Sequence, residues 1–266
     1  MKTINSLSNQ TIKEAVRLKK TGERKTRGLI IIDGAREIEL AIEAGLKINN
    51  LFYCPSLIKG TVGNSDKFFG VATEKIIEVS ESAFHKISYK EKPEGFLAIA
   101  ETKETTFKDI RLNDNPLIVV LEAVEKPGNL GAIIRTAYAA GAAAVIVNDN
   151  QTDIYNPNVI RASEGLVFTE KVVSASIVET IKWLKEKKIK SFGAATGASK
   201  NYTQVDLSGP TAIILGSESE GLSAKWLKDA DELIKIPMNK GIDSLNVSVA
   251  AAVIIFEVLR QREVIE

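Results

Sequence analysis

The sequence predicts an α/β protein in two parts, a small N-terminal unit and a larger doubly wound unit with a parallel sheet. Three observations predict it. Apolar runs of strand length alternate with helix-periodic segments along most of the chain. The run PLIVVLE (Pro116–Glu122) is apolar without alternation, as in a strand buried on both faces of a parallel sheet. The polar, charged stretch Glu101–Asn115 separates two series of such elements, giving domains at 1–105 and 116–266 joined by a linker at 106–115.

In the first part, Ile12, Ala15, Val16 and Leu18 form an apolar helical stripe. LIII (Leu29–Ile32) reads as a buried strand, Asp33-Gly34 as a turn, and AREIELAIEAG as a helix capped at Gly45. LFYC (Leu51–Cys54) is a strand stopped by Pro55, and Gly60–Lys67 a polar loop. EKIIEV, Glu81–Ile87 and FLAIAET complete the unit as strand, helix and strand. In the second part, PLIVVLE leads into the helix GNLGAIIRTAYAAG and the strand AAVIVN (Ala143–Asn148). SFGAAT, TAIILG and ELIKIP are further strands; IVETIKWLKEKK and NVSVAAAVIIFEVLRQRE are helices.

Composition excludes several classes. The 266 residues are 44% hydrophobic and 26% charged, an ordinary globular balance rather than a disordered or fibrous one. The only cysteine, Cys54, can form neither an internal disulfide nor a zinc cluster, so no structural metal is expected and a reducing compartment suits the chain. The start, MKTINSLSNQT, has no apolar signal core, and no run approaches the roughly 18 residues that span a bilayer. A cytoplasmic protein is expected. The net charge of +1 hides an imbalance, because residues 1–27 hold eight basic side chains against two acidic ones. Such a segment, with Arg24, Lys25 and Arg27 at its end, can bind phosphates, and it can equally be the solvated face of an amphipathic helix.

Three loops of the second part carry the chemistry. In LEAVEKPGNLGAIIRTA, the PGNLG turn leaves N–H groups free at a helix start, which suits an anionic ligand. Asn129 and Arg135 are six residues apart, about 240° around a regular helix, so they share a site only if Asn129 precedes the helix. Arg135 lies among apolar neighbours, where a guanidinium needs a partner or a task. In AIILGSESEGLS, a strand runs into Gly216, with Glu218 and Gly221 behind it, at the usual ligand address of a parallel sheet. Neither a Walker loop nor GxGxxG is present, which removes a nicotinamide-dependent dehydrogenase. In IKIPMNKGIDSLNVSVA, Ser244 and Asn246 open a small-residue helix, where either could be an N-cap.

Together the three loops resemble the SpoU family of RNA ribose 2′-O-methyltransferases, within the SPOUT superfamily. NLGAIIRTA matches the first family motif through Asn129 and Arg135. Gly216, Glu218 and Gly221 match the second, and Ile236–Met238 with Ser244–Ala250 the third. IRASEGLVF, which contains Arg161, also looks like a family element. The first hundred residues are similar, more loosely, to the family's RNA substrate-binding domain, related to kink-turn-binding ribosomal proteins.

The resemblance implies an α/β knot, a C-terminal deep trefoil that general topology rules disfavour. It implies S-adenosylmethionine held by Leu215, Gly216, Gly221, Ile236, Pro237, Met238 and Leu245. It implies a homodimer whose active sites take a contribution from the partner, and catalytic residues Asn129, Arg135, Glu218, Ser244 and Asn246. A guanidinium, with a pKa above about 12, is a poor base. Arg135 is therefore expected to bind phosphate and stabilise the developing alkoxide. The RNA would meet Arg24, Lys25, Arg27, Arg36 and Arg161, and large-subunit ribosomal RNA is the expected substrate. Transfer RNA is the alternative substrate, and a non-catalytic RNA-binding or ribosome assembly factor the alternative class.

Overall fold

The structure is a computed structural model that describes residues 2–58, 66–149, 151–169 and 171–262. In chain order its elements begin with β1 (Lys2–Ile4), α1 (Gln10–Arg17), α2 (Thr21–Arg27), β2 (Leu29–Asp33), α3 (Ala35–Glu43) and β3 (Ile48–Tyr53). Next come α4 (Asp66–Phe69), β4 (Ile76–Val79), α5 (Glu81–Ile87), β5 (Phe96–Glu101), β6 (Leu117–Glu122), α6 (Pro127–Ala139) and β7 (Ala144–Asn148). The rest are α7 (Pro157–Ala162), β8 (Val172–Ser174), α8 (Ile177–Glu186), β9 (Lys190–Ala194), β10 (Lys200–Asn201), β11 (Thr211–Leu215), α9 (Ala224–Asp229), β12 (Glu232–Lys235) and α10 (Val247–Gln261). The expected loop at 60–67 lies mostly outside the described residues.

Two compact units result. Unit 1 comprises residues 1–103 and 155–169, and unit 2 comprises 104–154 and 170–266. This differs from the expected division in two places. The segment Tyr155–Thr169 packs with unit 1, because Val159, Ile160 and Leu166–Phe168 are buried and the turn after α7 lies on α3. Gly165, with φ of 83°, makes that approach possible: a Cβ there would come within 3.0 Å of the Glu37 backbone. The expected linker is part of unit 2. Phe107 stacks on Trp183 with ring centroids 5.0 Å apart, and Ile110 and Leu112 pack on the same core.

Unit 1 has a mixed five-stranded sheet in the order β1-β4-β3-β5-β2. The stripe of α1 is buried: Ile12, Ala15 and Leu18 join Ile31, Phe52, Phe84 and Leu97 in one core. Strand β1, three residues in a polar start, pairs with β4 and had no sequence signal.

Among the described residues, unit 2 has a seven-stranded sheet, all parallel, in the order β10-β12-β9-β11-β6-β7-β8. The central strands β6, β7 and β11 are buried along their whole length, as their near-continuous apolar sequences require. The chain leaves β6 toward β7 on one side and fills the other side with β11, β9 and β12. Strand order reverses between β6 and β11, and in such sheets ligands bind at the carboxyl ends of the strands. No described helix is long and apolar enough to cross a membrane.

Candidate active site

At the carboxyl ends of β9, β11 and β12 lies a cavity of about 500 Å³. Leu215, Gly216, Glu218 and Gly221 line it after β11, and Ile236, Met238, Ser244 and Leu245 after β12. The turn after β11 is tight: Ser217 and Gly221 exchange both backbone hydrogen bonds, at 3.0 and 3.1 Å. A Cβ on Gly216 would lie 2.1 Å from the Gly221 carbonyl, so only glycine permits this closure. Pro237 is not among the lining residues; it is exposed.

The third wall was not foreseen. Residues Ala194–Ala198, following β9, line the cavity beside the two motif loops. Their small residues at a strand end were visible in the sequence, but not the position of β9 between β11 and β12. Nearest neighbours in a parallel sheet are set by long-range pairing, which local patterns do not encode.

Beside the cavity the three motif loops meet through hydrogen bonds. Asn129 Nδ2 donates to Glu218 Oε1 at 2.6 Å, and the N–H of Glu125 donates to Glu218 Oε2 at 3.2 Å. Asn246 Nδ2 donates to Asn129 Oδ1 at 3.2 Å. Asn246 Oδ1 accepts from the N–H and hydroxyl of Ser248, capping α10. The carboxylate fixes every orientation in this chain, since it only accepts: Asn129 must offer its amide, so its carbonyl is left for Asn246. Burial pushes the Glu218 carboxyl up, but the Asn129 amide and the Glu125 and Lys126 N–H groups outweigh it, leaving the group below the usual range. Glu218 holds Asn129 and the Glu125 turn together as a hydrogen-bond acceptor. Thus Asn246 is an N-cap and a motif partner at once.

Asn129 sits at the third position of α6, within the helix rather than before it. Arg135, six residues on, is exposed and does not line the cavity. Within this chain Asn129 and Arg135 therefore point about 240° apart.

The basic residues divide. Arg24 is 2% exposed, and its guanidinium donates to the carbonyls of Leu18 and Lys19 and to Thr21 Oγ1 at 2.9–3.0 Å. It closes the carboxyl end of α1, where carbonyls lack helical partners, and its expected role on RNA is corrected to a structural one. Lys25 and Arg27 are exposed, Arg27 beside Glu23 at 3.0 Å. Arg36 pairs with Glu164 at 2.7 Å, and Arg161 is exposed on α7. Among the described residues, no group of three or more His, Cys, Asp or Glu is placed to hold a metal ion.

Residues 116–256 match the SpoU rRNA methylase family, and residues 9–98 match the MRM3-like substrate-binding domain. The chain belongs to the SpoU rRNA methylase family. It is 29% identical over 259 residues to the 23S rRNA (guanosine(2553)-2′-O)-methyltransferase of Bacillus subtilis strain 168, covering 96% of this chain and 98% of that one. A crystal structure of an RNA 2′-O ribose methyltransferase superposes with a TM-score of 0.85 at 38% identity, over 98% of this chain and 99% of that one. An AdoMet-bound rRNA methyltransferase from Sinorhizobium meliloti gives 0.85 at 29% identity, over 97% of each chain. Among SpoU methylases this chain thus has both parts, a methylase unit and a substrate-binding unit.

Proposed function

We propose that this SpoU methylase transfers a methyl group from S-adenosylmethionine to a ribose 2′-hydroxyl of 23S ribosomal RNA, in the cytoplasm and as a homodimer. The observation that carries the reading is the junction of Asn129, Glu218 and Asn246 beside the cavity. Three separate loops are fixed there by bonds spanning 89 and 117 residues of sequence.

The cavity fits the cofactor on its own chemistry. Its volume of about 500 Å³ is within the usual range for such ligands, and apolar Leu215, Ile236, Met238 and Leu245 suit a purine. Thr196, Gly197, Gly216 and Ser217 line it with small residues, where a ribose and an amino-acid moiety can reach backbone groups. The cofactor supplies an electrophilic methyl group on a sulfonium. The protein's part is then to align the hydroxyl and assist loss of its proton. Asn129 and Ser244 would orient RNA at the cavity, and Glu218 would hold Asn129 in place. Closure of the C-terminal loops into the family's knot is part of this reading.

The homodimer reading is supported by one face of α10. Val249, Val253 and Phe256 follow at helical spacing, and Val249 and Phe256 are exposed, as is Tyr138 on α6, which packs against α10. A solvent-facing apolar stripe of this kind fits a second copy of the chain. Arg135, one turn before Tyr138, would then address the partner's site, binding phosphate and stabilising the developing alkoxide. Exposed Lys25, Arg27, Arg36 and Arg161 in unit 1 would hold RNA phosphates. The test is a ribose-methylation map of 23S rRNA from cells with and without the protein. One 2′-O-methyl signal that vanishes with the protein supports the reading; an unaltered map contradicts it.

A further inference from the structure

Both anchors of Glu218 come from the turn Ala123–Lys126 and the helix start that follows it. Whatever holds this turn therefore sets the carboxylate. Ala123 has φ of 51°, a left-handed conformation costly for a residue with a Cβ, so the segment neither prolongs β6 nor begins α6. It is tied instead to the exit of β7. The N–H of Ala123 donates to the Asn148 carbonyl at 3.0 Å, and Thr152 Oγ1 donates to the Glu125 carbonyl at 2.6 Å. Thr152 is only 5% exposed, and it does not line the cavity.

Glu125 is thereby gripped on both of its peptide planes. The plane before it gives its N–H to Glu218, and the plane after it gives its carbonyl to Thr152. Its carboxylate also accepts from Ser219 Oγ at 2.5 Å, so residue 125 holds two consecutive residues of the turn after β11. Fixing both planes fixes the backbone angles of Glu125 and hence the direction of its N–H.

We propose that Thr152 is a positioning residue for methyl transfer. Its hydroxyl orients the Glu125 turn, and through that turn the Glu218–Asn129 pair. The proposal rests on the methyltransferase reading above. It makes the hydroxyl, not the bulk of the side chain, the operative feature. A packing role would make the opposite demand, tolerating isosteric valine and suffering from the smaller serine.

The experiment uses full-length Thr152→Val and Thr152→Ser, with methyl transfer to 23S rRNA measured at saturating S-adenosylmethionine. Thr152→Val is expected to lower kcat by about ten- to a hundredfold, with KM for RNA and Kd for the cofactor within about twofold. Thr152→Ser should stay within about threefold of the unsubstituted protein. Amide exchange gives a readout independent of activity: the Glu125 N–H should exchange faster in the valine variant and at its original rate in the serine variant. Unchanged kcat and exchange in Thr152→Val, or a Thr152→Ser protein as slow as the valine one, would overturn the proposal. If Thr152→Val does not fold, the serine variant alone decides, since impaired transfer and faster Glu125 exchange there would count against the hydroxyl. Absence of transfer by the unsubstituted protein would overturn the methyltransferase reading instead, and Glu125 exchange would still judge the role of Thr152.

Discussion

Two regions of the molecule use polar side chains in opposite ways. At the end of α1 in unit 1, Arg24 serves the backbone beside it, donating to the carbonyls of Leu18 and Lys19. In unit 2, Glu218, Asn129 and Asn246 serve one another from three loops. A polar group bound to adjacent carbonyls stabilises its own segment and has little capacity left for a ligand. Groups joined across loops beside a cavity hold a geometry whose cost has to be offset by some function. Charge alone cannot distinguish these cases; the identity of the hydrogen-bond partner does.

The contrast is sharpest at Arg24. Arg24→Ala removes a buried guanidinium and strands the Leu18 and Lys19 carbonyls, so unfolding free energy should fall by about 2–4 kcal/mol. Denaturant titration measures this, and a loss below about 0.5 kcal/mol would return Arg24 to the surface set. The paired change Lys25→Gln with Arg27→Gln should do the reverse. Stability should move by less than about 0.5 kcal/mol, because both groups are exposed. RNA affinity should weaken, with the salt dependence of binding flattened by about 0.7–0.9 for each phosphate no longer neutralised. An unaltered slope in filter binding would move the RNA-binding surface toward Arg36 and Arg161.

The smallest effect concerns Glu37, which lies 3.4 Å from the Lys90 ammonium beneath Gly34. Burial pushes its carboxyl up more than Lys90 pulls it down, so folding favours the protonated form. That contribution is fully present below the ordinary value of 4.5 and is lost as pH rises through the higher folded value. Lys90 is itself raised despite its burial, by Glu94 and Glu37, so its own contribution persists to above 10.5 and leaves this window clear. Glu37→Gln should therefore flatten the stability–pH curve just above pH 4.5. Parallel curves for the two proteins would show that Glu37 is not the group responsible.

Much of unit 2 was legible in the sequence because its central strands are buried along their length and three segments with glycine or proline and small polar groups follow strands. The resemblance to the SpoU family singled out Asn129, Glu218 and Asn246 in those segments, and the structure joins them. The Ala194–Ala198 wall was not found, since its place depends on β9 inserting between β11 and β12. Arg24 was misread for a related reason: a lysine- and arginine-rich stretch gives no sign of which cation turns inward to cap a helix. The segment Tyr155–Thr169 changes unit because its apolar residues meet α3 and β2, elements more than a hundred residues distant in sequence. Arg135 lies on the expected helix, but it does not line the cavity that Asn129 adjoins.

The central claim is that chemistry takes place where the three loops of unit 2 meet. Glu218→Ala tests it most directly, in methyl transfer to 23S rRNA with cofactor affinity measured alongside. Removing the anchor frees Asn129, so kcat should fall by at least about a hundredfold while cofactor Kd stays within about fivefold. A variant that transfers methyl groups at the unsubstituted rate would contradict the claim, and the catalytic centre would have to lie elsewhere.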